Sequence, residues 1–146
     1  NPSMYRLLKP LVEELGVDLF RLLVAHSSSL GTDTDYEAMV TKLGPDFISG
    51  FLAWGEAVAT AGWGRFEVLG FVPGGCTAHV RVHHPWELKM QRGAEVRWGC
   101  PFMQGKVIGI FSHAFGRPCW ADEVLHEVLG YDDAKVAELR ASGALG

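Results

Sequence analysis

The sequence of 146 residues predicts an α+β fold in which an antiparallel sheet packs against helices, with further helices at the N-terminus. Apolar residues recur three and four apart near the N-terminus, which is the spacing of a helix face. The period changes after Gly62, where two strand-like segments flank the turn sequence Pro73-Gly74-Gly75. A segment of helical length returns at Cys100. Helices on both sides of a hairpin are typical of an α+β domain.

Residues 1–30 are predicted to form an N-terminal helical segment. The spacing of leucine and valine indicates one helix from Met4 to Leu15 and a second from Val17 to Ser27, with Gly16 between them. Two consecutive amphipathic helices offer more apolar surface than a small sheet can cover. We therefore interpret this segment as a candidate contact in a homodimer.

The central elements are predicted to be two helices followed by the hairpin. A short helix is expected from Asp35 to Leu43, and the sequence Gly44-Pro45-Asp46 starts a longer one from about Phe47 to Ala61. Arg65 to Val72 and Thr77 to His84 are the two predicted strands. Because a short turn joins them, we expect them to pair antiparallel.

Four further elements are predicted after the hairpin. Glu95 to Trp98 is interpreted as a continuing strand and Cys100 to Phe115 as a helix, which Gly116-Arg117-Pro118 ends. Cys119 to Ala121 is a candidate short strand, and Asp132 to Ser142 is predicted as a final helix.

The composition is that of a single globular domain covering residues 1–146, with 48% hydrophobic and 21% charged residues. The net charge of −4 argues against direct contact with nucleic acid, which needs a concentrated basic face. No apolar run approaches the about 20 residues that cross a bilayer, so no membrane span is expected. The odd number of cysteines, Cys76, Cys100 and Cys119, favours free thiols and a reducing, cytoplasmic location.

Three motifs follow one another along the chain. They are Gly62-Trp63-Gly64-Arg65-Phe66-Glu67, then a helix in which Cys100 precedes Gly105 and Gly109, then an acidic residue at Glu123. This order resembles the 4-vinyl-reductase or hydrocarbon-binding domain family, which includes the sensory domain of aromatic-responsive bacterial activators. The resemblance extends from about Leu15 to Gly130.

The resemblance implies a buried pocket, between helices and sheet, that holds an aromatic or hydrocarbon-like ligand. Aromatic and apolar side chains, which are dense in this sequence, line most small-molecule sites. The same residue types also fill an ordinary core, so the sequence leaves both interpretations open. The candidate lining residues are Phe51, Trp54, Phe66, Val68, Val80, Val82, Phe102 and Ile110.

The resemblance also implies a zinc site formed in the family by a cysteine, a glutamate and two further cysteines. Cys100 and Glu123 match the first two ligands, His126 falls at the third, and the fourth falls where this sequence has no cysteine. Zinc accepts imidazole, and Cys119 lies four residues before Glu123, so a rebuilt site is conceivable. The candidate set is Cys100, Cys119, Glu123 and His126. The alternative is that the cysteines are simply buried as small apolar residues.

The leading functional hypothesis is a sensory domain that recognises a small apolar or aromatic molecule and passes the signal to a partner or neighbouring domain, as in transcription regulation. The resemblance implies dimerisation for the sensor branch. One alternative is a tetrapyrrole-handling or vinyl-reductase-like protein. Another is a scaffold subunit similar to those of trafficking complexes.

Whether the protein is an enzyme is left open by the sequence. It contains neither a phosphate-binding glycine loop nor a nucleophile elbow, and no catalytic residues are identified. The pair Cys100-Pro101 occurs in thiolate haem-binding motifs. Haem or another tetrapyrrole is nevertheless not expected, because the spacing identifies no axial partner.

Overall fold

A computed structural model describes residues 2–124 and Ala141 of the chain. The predicted α+β class is confirmed: one antiparallel hairpin lies between two groups of helices. The elements are α1 (Pro2–Leu15), α2 (Val17–Ser29), α3 (Asp33–Ala38) with a π-helical continuation (Met39–Leu43), α4 (Phe47–Thr60), β1 (Arg65–Val72), β2 (Thr77–His83), α5 (Trp86–Met90) and α6 (Pro101–Phe115).

The α1–α2 pair packs on the segment that leads into α6. Trp98 is 1% exposed, with its ring stacked on Tyr5 at a centroid distance of 5.3 Å and meeting Phe20 edge-on at 5.6 Å. Val12 completes this small core, and the hydroxyl of Tyr5 donates to the carbonyl of Val96 over 3.1 Å. The aromatic contacts therefore anchor the N-terminal helices to the rest of the domain.

The hairpin packs against α4 through strand β1. Asp46 caps α4 by accepting a hydrogen bond from the backbone N–H of Ser49 over 2.9 Å, as its position before an apolar helical run predicts. The strands pair antiparallel with a bulge at Leu69. Phe66 lies directly against Gly55, where a helix residue without a side chain leaves room for the ring.

Helices α2 and α6 pack so closely that their backbones are in contact. Gly105 and Gly109, which the sequence places on one helix face, both lie on the side of α6 that contacts α2. A methyl group built at Gly105 would be 2.7 Å from the Cβ atom of Ser28. The hydroxyl of Ser28 donates to the carbonyl of Phe102 over 2.7 Å and so adds a hydrogen bond at the same crossing.

Two predicted strands are wrong. Glu95 to Trp98 and Cys119 to Ala121 have no ladder partner and are irregular. Side chains supply their hydrogen bonds instead: Gln91 binds the backbone of Trp98, and Gln104 donates to the carbonyl of Ala121 over 2.6 Å. Apolar content and length resemble a strand in both segments, but side chains from outside each segment fix its backbone.

The other boundaries agree with the prediction to within a few residues, and α5 was not predicted. The predicted final helix, Asp132 to Ser142, lies outside the described residues except for Ala141. In the part of the chain that the structure describes, no helix combines the length and apolarity needed to cross a bilayer.

Candidate functional site

An aromatic network fills the space between α4, the hairpin and α6. It contains every phenylalanine of the chain except Phe20, together with three tryptophans, and each ring meets at least one other at a centroid distance of 5.1 to 6.1 Å. Most pairs are edge-to-face or tilted, the arrangement that the ring quadrupoles favour. The members are Phe47, Phe51, Trp54, Trp63, Phe66, Phe71, Trp86, Phe102, Phe111 and Phe115.

The eight predicted lining residues all belong to this region of the fold. Phe51 and Ile110 are 0% exposed. Trp54 and Phe66 are also buried, while the three valines of the hairpin and Phe102 are partly buried and pack against the same core. The structure therefore brings the predicted set together, and direct ring contacts occupy its centre.

An apolar cavity of about 430 Å³ opens on the other side of Phe102, between α1, α2 and the start of α6. Phe102 contacts Trp63 and Trp86 in the aromatic network and also lines this cavity. The cavity is lined by Leu11, Leu15, Phe20, Leu23, Val24, Ser27, Ser28 and Phe102. The side chain of Phe102 thus lies between the aromatic network and this apolar cavity, which forms a groove in the surface.

The N-terminus of α6 receives a buried carboxylate from α5. Glu87 is 2% exposed and accepts hydrogen bonds from the backbone N–H groups of Phe102 and Met103, each over 3.0 Å. These are donors that the helix itself cannot satisfy. Burial raises the pKa of Glu87 to about 7, and the two amide bonds oppose that shift without cancelling it.

Gln91 uses both ends of its amide to hold the loop before α6. Its oxygen accepts from the backbone N–H groups of Trp98 over 2.7 Å and Gly99 over 3.2 Å. Its nitrogen donates to the carbonyls of Glu87 over 2.9 Å and Gly99 over 2.7 Å. All of these groups are buried, so the side chain replaces hydrogen bonds that water cannot supply.

Glu123 binds the residue that precedes α6. Its two carboxylate oxygens lie 2.9 and 3.1 Å from the backbone N–H of Cys100, and one of them pairs with the guanidinium of Arg21 over 2.9 Å. Burial raises the pKa of the Cys100 thiol well above its usual range, and the nearby carboxylates raise it further. The thiol is accordingly neutral and weakly nucleophilic.

The four predicted zinc ligands are only partly brought together. Cys100 and Glu123 are adjacent, as predicted. Cys119 lies against Ser112 and Ile108, the latter about 12 Å along α6 from Cys100. His126 is outside the described residues.

The zinc site stays a prediction, because one of its four candidate donors lies outside the described residues. Within residues 2–124, no three histidine, cysteine or acidic side chains are grouped as metal ligands. Arg21 already supplies a positive charge to Glu123, at the place where the resemblance implies a metal ion.

Cys100 and Glu123 were predicted as site residues from the sequence, whereas Glu87, Gln91 and Arg21 were not. Glu87 lies 15 residues before its partner Phe102, and Arg21 lies 102 residues before Glu123. No helical or strand period connects residues at such separations. An uncapped helix start at Cys100-Pro101 was the one available signal, since such a helix needs acceptors from elsewhere.

We expect Glu123→Ala to lower the free energy of unfolding by about 2 kcal/mol, because it leaves the Cys100 amide and the Arg21 guanidinium without their carboxylate. Urea denaturation measures this value. The neighbouring exposed Asp122→Ala is the control and should change it by less than about 0.5 kcal/mol. Equal losses in the two variants would contradict the assigned role of Glu123.

Comparison with protein-family models and with curated proteins identifies no relative. No protein-family model matches the chain, and no curated protein matches it. The resemblance to the 4-vinyl-reductase domain family stays a prediction.

Proposed function

We propose that this domain is a sensory module that binds a small apolar or aromatic molecule within the aromatic network, and that it acts as a homodimer. The observation that supports the ligand site is the continuous set of ring contacts between α4, the hairpin and α6. A ligand ring that enters the network can replace ring–ring contacts with similar contacts to itself. The free-energy cost of opening the network is therefore partly offset.

The hairpin is the element expected to move aside. A two-stranded sheet has little stability of its own and depends on the surface that it covers. Its face toward the network carries Val68, Val80 and Val82, which are only partly buried. The eight lining residues include no charged side chain. The preferred ligand is consequently apolar, with aromatic molecules fitting best.

Phe102 is the proposed link between ligand and signal. It contacts the network on one side and the groove beside α1 and α2 on the other, so displacement of its ring alters both surfaces. A ligand shifts the Phe102 ring toward a displaced position only by as much as the ligand's affinity differs between the two positions. The three free cysteines support a reducing, cytoplasmic setting for this signal.

The test is binding of toluene, phenol and naphthalene to the full chain, followed by tryptophan fluorescence and by the melting temperature. Trp54, Trp63 and Trp86 belong to the network, so occupancy is expected to change their emission in a saturable way. A ligand present at about 100 times its Kd should stabilise the fold by about 3 kcal/mol.

Phe51→Leu and Phe20→Leu form a matched pair for this test. Both phenylalanines are buried, but Phe51 lies in the network and Phe20 in the separate core around Trp98. We expect Phe51→Leu to weaken binding about tenfold, and Phe20→Leu to leave it unchanged, because only the first loses an edge-to-face partner for the ligand. Absence of saturable binding by all three probes to the folded protein would contradict the proposal.

A further inference from the structure

The outer faces of α1 and α2 expose large apolar side chains. Leu7 is 65% exposed and Leu22 is 52% exposed, although each helix also buries an apolar inner face through residues such as Val12 and Phe20. We name this surface the leucine face; it comprises Met4, Leu7, Leu11, Leu15, Leu19, Leu22 and Leu23. Leu11, Leu15 and Leu23 line one groove and so join the two helices in one apolar surface, which is typical of an interaction site.

The leucine face has the form of a ridge beside a groove. On α1 the exposed residues recur at intervals of three and four, which places them in one stripe along a helix about 21 Å long. The apolar cavity of about 430 Å³ runs next to this stripe: Leu11 and Leu15 belong to both, and Leu23 of α2 also lines the cavity. A surface with both a ridge and an adjoining groove can pack against a copy of itself around a two-fold axis.

The charges of α1 favour a second copy in one orientation. Arg6 lies in the first half of the helix, and Glu13 and Glu14 lie in the second half, where Glu13 also pairs with Lys9 of the same helix. Two copies of α1 that run antiparallel bring each basic half beside an acidic half, whereas parallel copies place like charges together. The acidic half also disfavours an anionic membrane surface, which attracts helices with a basic polar face.

We propose that the leucine face is the homodimer interface, with the two α1 helices antiparallel across a two-fold axis and the leucine ridge of each copy in the groove of the other. The leucine face is thus assigned as the contact surface of the homodimer proposed above, and this contact does not depend on ligand binding. A failure to bind aromatic probes would therefore leave it intact, since it is measured by sedimentation without ligand.

Sedimentation of the full chain over a wide concentration range tests the interface. The wild type is expected at twice the 16.0 kDa chain mass. Leu11→Glu should raise the dimer dissociation constant at least about 100-fold, because the two-fold axis places the buried carboxylate in the interface twice. Val72→Glu is the matched control, since Val72 is also exposed (56%) but lies on the hairpin. It should remain dimeric.

Leu7→Glu is the second variant, because its 65% exposure allows the monomer to fold, as circular dichroism verifies. A wild type that is monomeric at all concentrations would overturn the proposal. Such a result would indicate that residues 125–146 or another partner covers the face. A dimer that is equally tight in Leu7→Glu, Leu11→Glu and Val72→Glu would overturn it as well.

Charge reversal tests the antiparallel arrangement. Arg6→Glu and Glu14→Arg are each expected to weaken the dimer about fivefold, because both residues are exposed and rim charges contribute little. The double variant should recover the wild-type affinity, since it exchanges the signs of the two halves. Additive losses in the double variant would exclude the antiparallel arrangement.

Discussion

Replacing Gly105 with alanine is expected to lower the free energy of unfolding by about 3 kcal/mol, although alanine is the better helix former by about 1 kcal/mol. The new methyl group would lie 2.9 Å from the carbonyl carbon of Ala25 and 2.7 Å from the Cβ atom of Ser28. Both neighbours belong to the body of α2 and cannot rotate away. The two helices must therefore separate by about an ångström, which weakens dispersion contacts along their whole crossing.

Gly109→Ala should have a similar effect, because its methyl group would lie 2.6 Å from the carbonyl oxygen of Ser29. Gly74→Ala is the matched control: it lies in the hairpin turn with no heavy atom within 4 Å of the added methyl group. We expect it to be neutral or slightly stabilising. Urea denaturation of the three variants measures the differences. A Gly105→Ala protein as stable as Gly74→Ala would show that α2 and α6 are not in backbone contact.

The glycine face shows how far spacing alone predicts the fold. The interval of four between Gly105 and Gly109 places both on one side of a helix whatever surrounds it. Helix α4 and the hairpin were equally predictable, since periodicity, an N-cap at Asp46 and turn residues act locally. Spacing could not identify α2 as the partner helix, because that contact joins residues about 80 positions apart and depends on packing.

The candidate site, like the fold, was predictable only in part from the sequence. The predicted lining residues meet because they belong to elements that were predicted correctly. Cys119 was different: it was predicted to lie in a short strand and to share a zinc site with Glu123, and the segment from Cys119 to Ala121 is not a strand. Its thiol instead lies 3.1 Å from the hydroxyl of Ser112. A wrong period thus moved one candidate ligand to the wrong end of α6.

The buried carboxylate of Glu87 makes a pH dependence the second large expected effect. Its pKa in the folded protein is raised by burial to about 7, from an ordinary value of 4.5. Below pH 4.5 both the folded and the unfolded chain hold the proton, and the group contributes no difference. Between pH 4.5 and 7 the unfolded chain releases the proton and the folded chain retains it, so the stability of the fold decreases as pH rises. Above pH 7 the loss is complete, at about 3 kcal/mol.

Glu87→Gln isolates this effect, because the variant keeps the shape of the side chain and cannot ionise. The amide has its own cost, since one amide end cannot accept from both Phe102 and Met103, but that cost does not vary with pH. We expect the free energy of unfolding of the variant, minus that of the wild type, to rise by about 3 kcal/mol between pH 4.5 and 8. The exposed Glu95→Gln is the control, and its difference should change little.

The direction of the change is the decisive result. A carboxylate that gained more from the two amide bonds and from Arg21 than it lost by burial would have a lowered pKa. The difference between Glu87→Gln and the wild type would then fall as pH rises, and Glu87 would act as an ordinary ionised cap of α6. A rise instead means that the helix is capped at the expense of stability above neutral pH. Protonation near pH 7 would then strengthen the fold where α5 meets the aromatic network through Trp86 and Phe102.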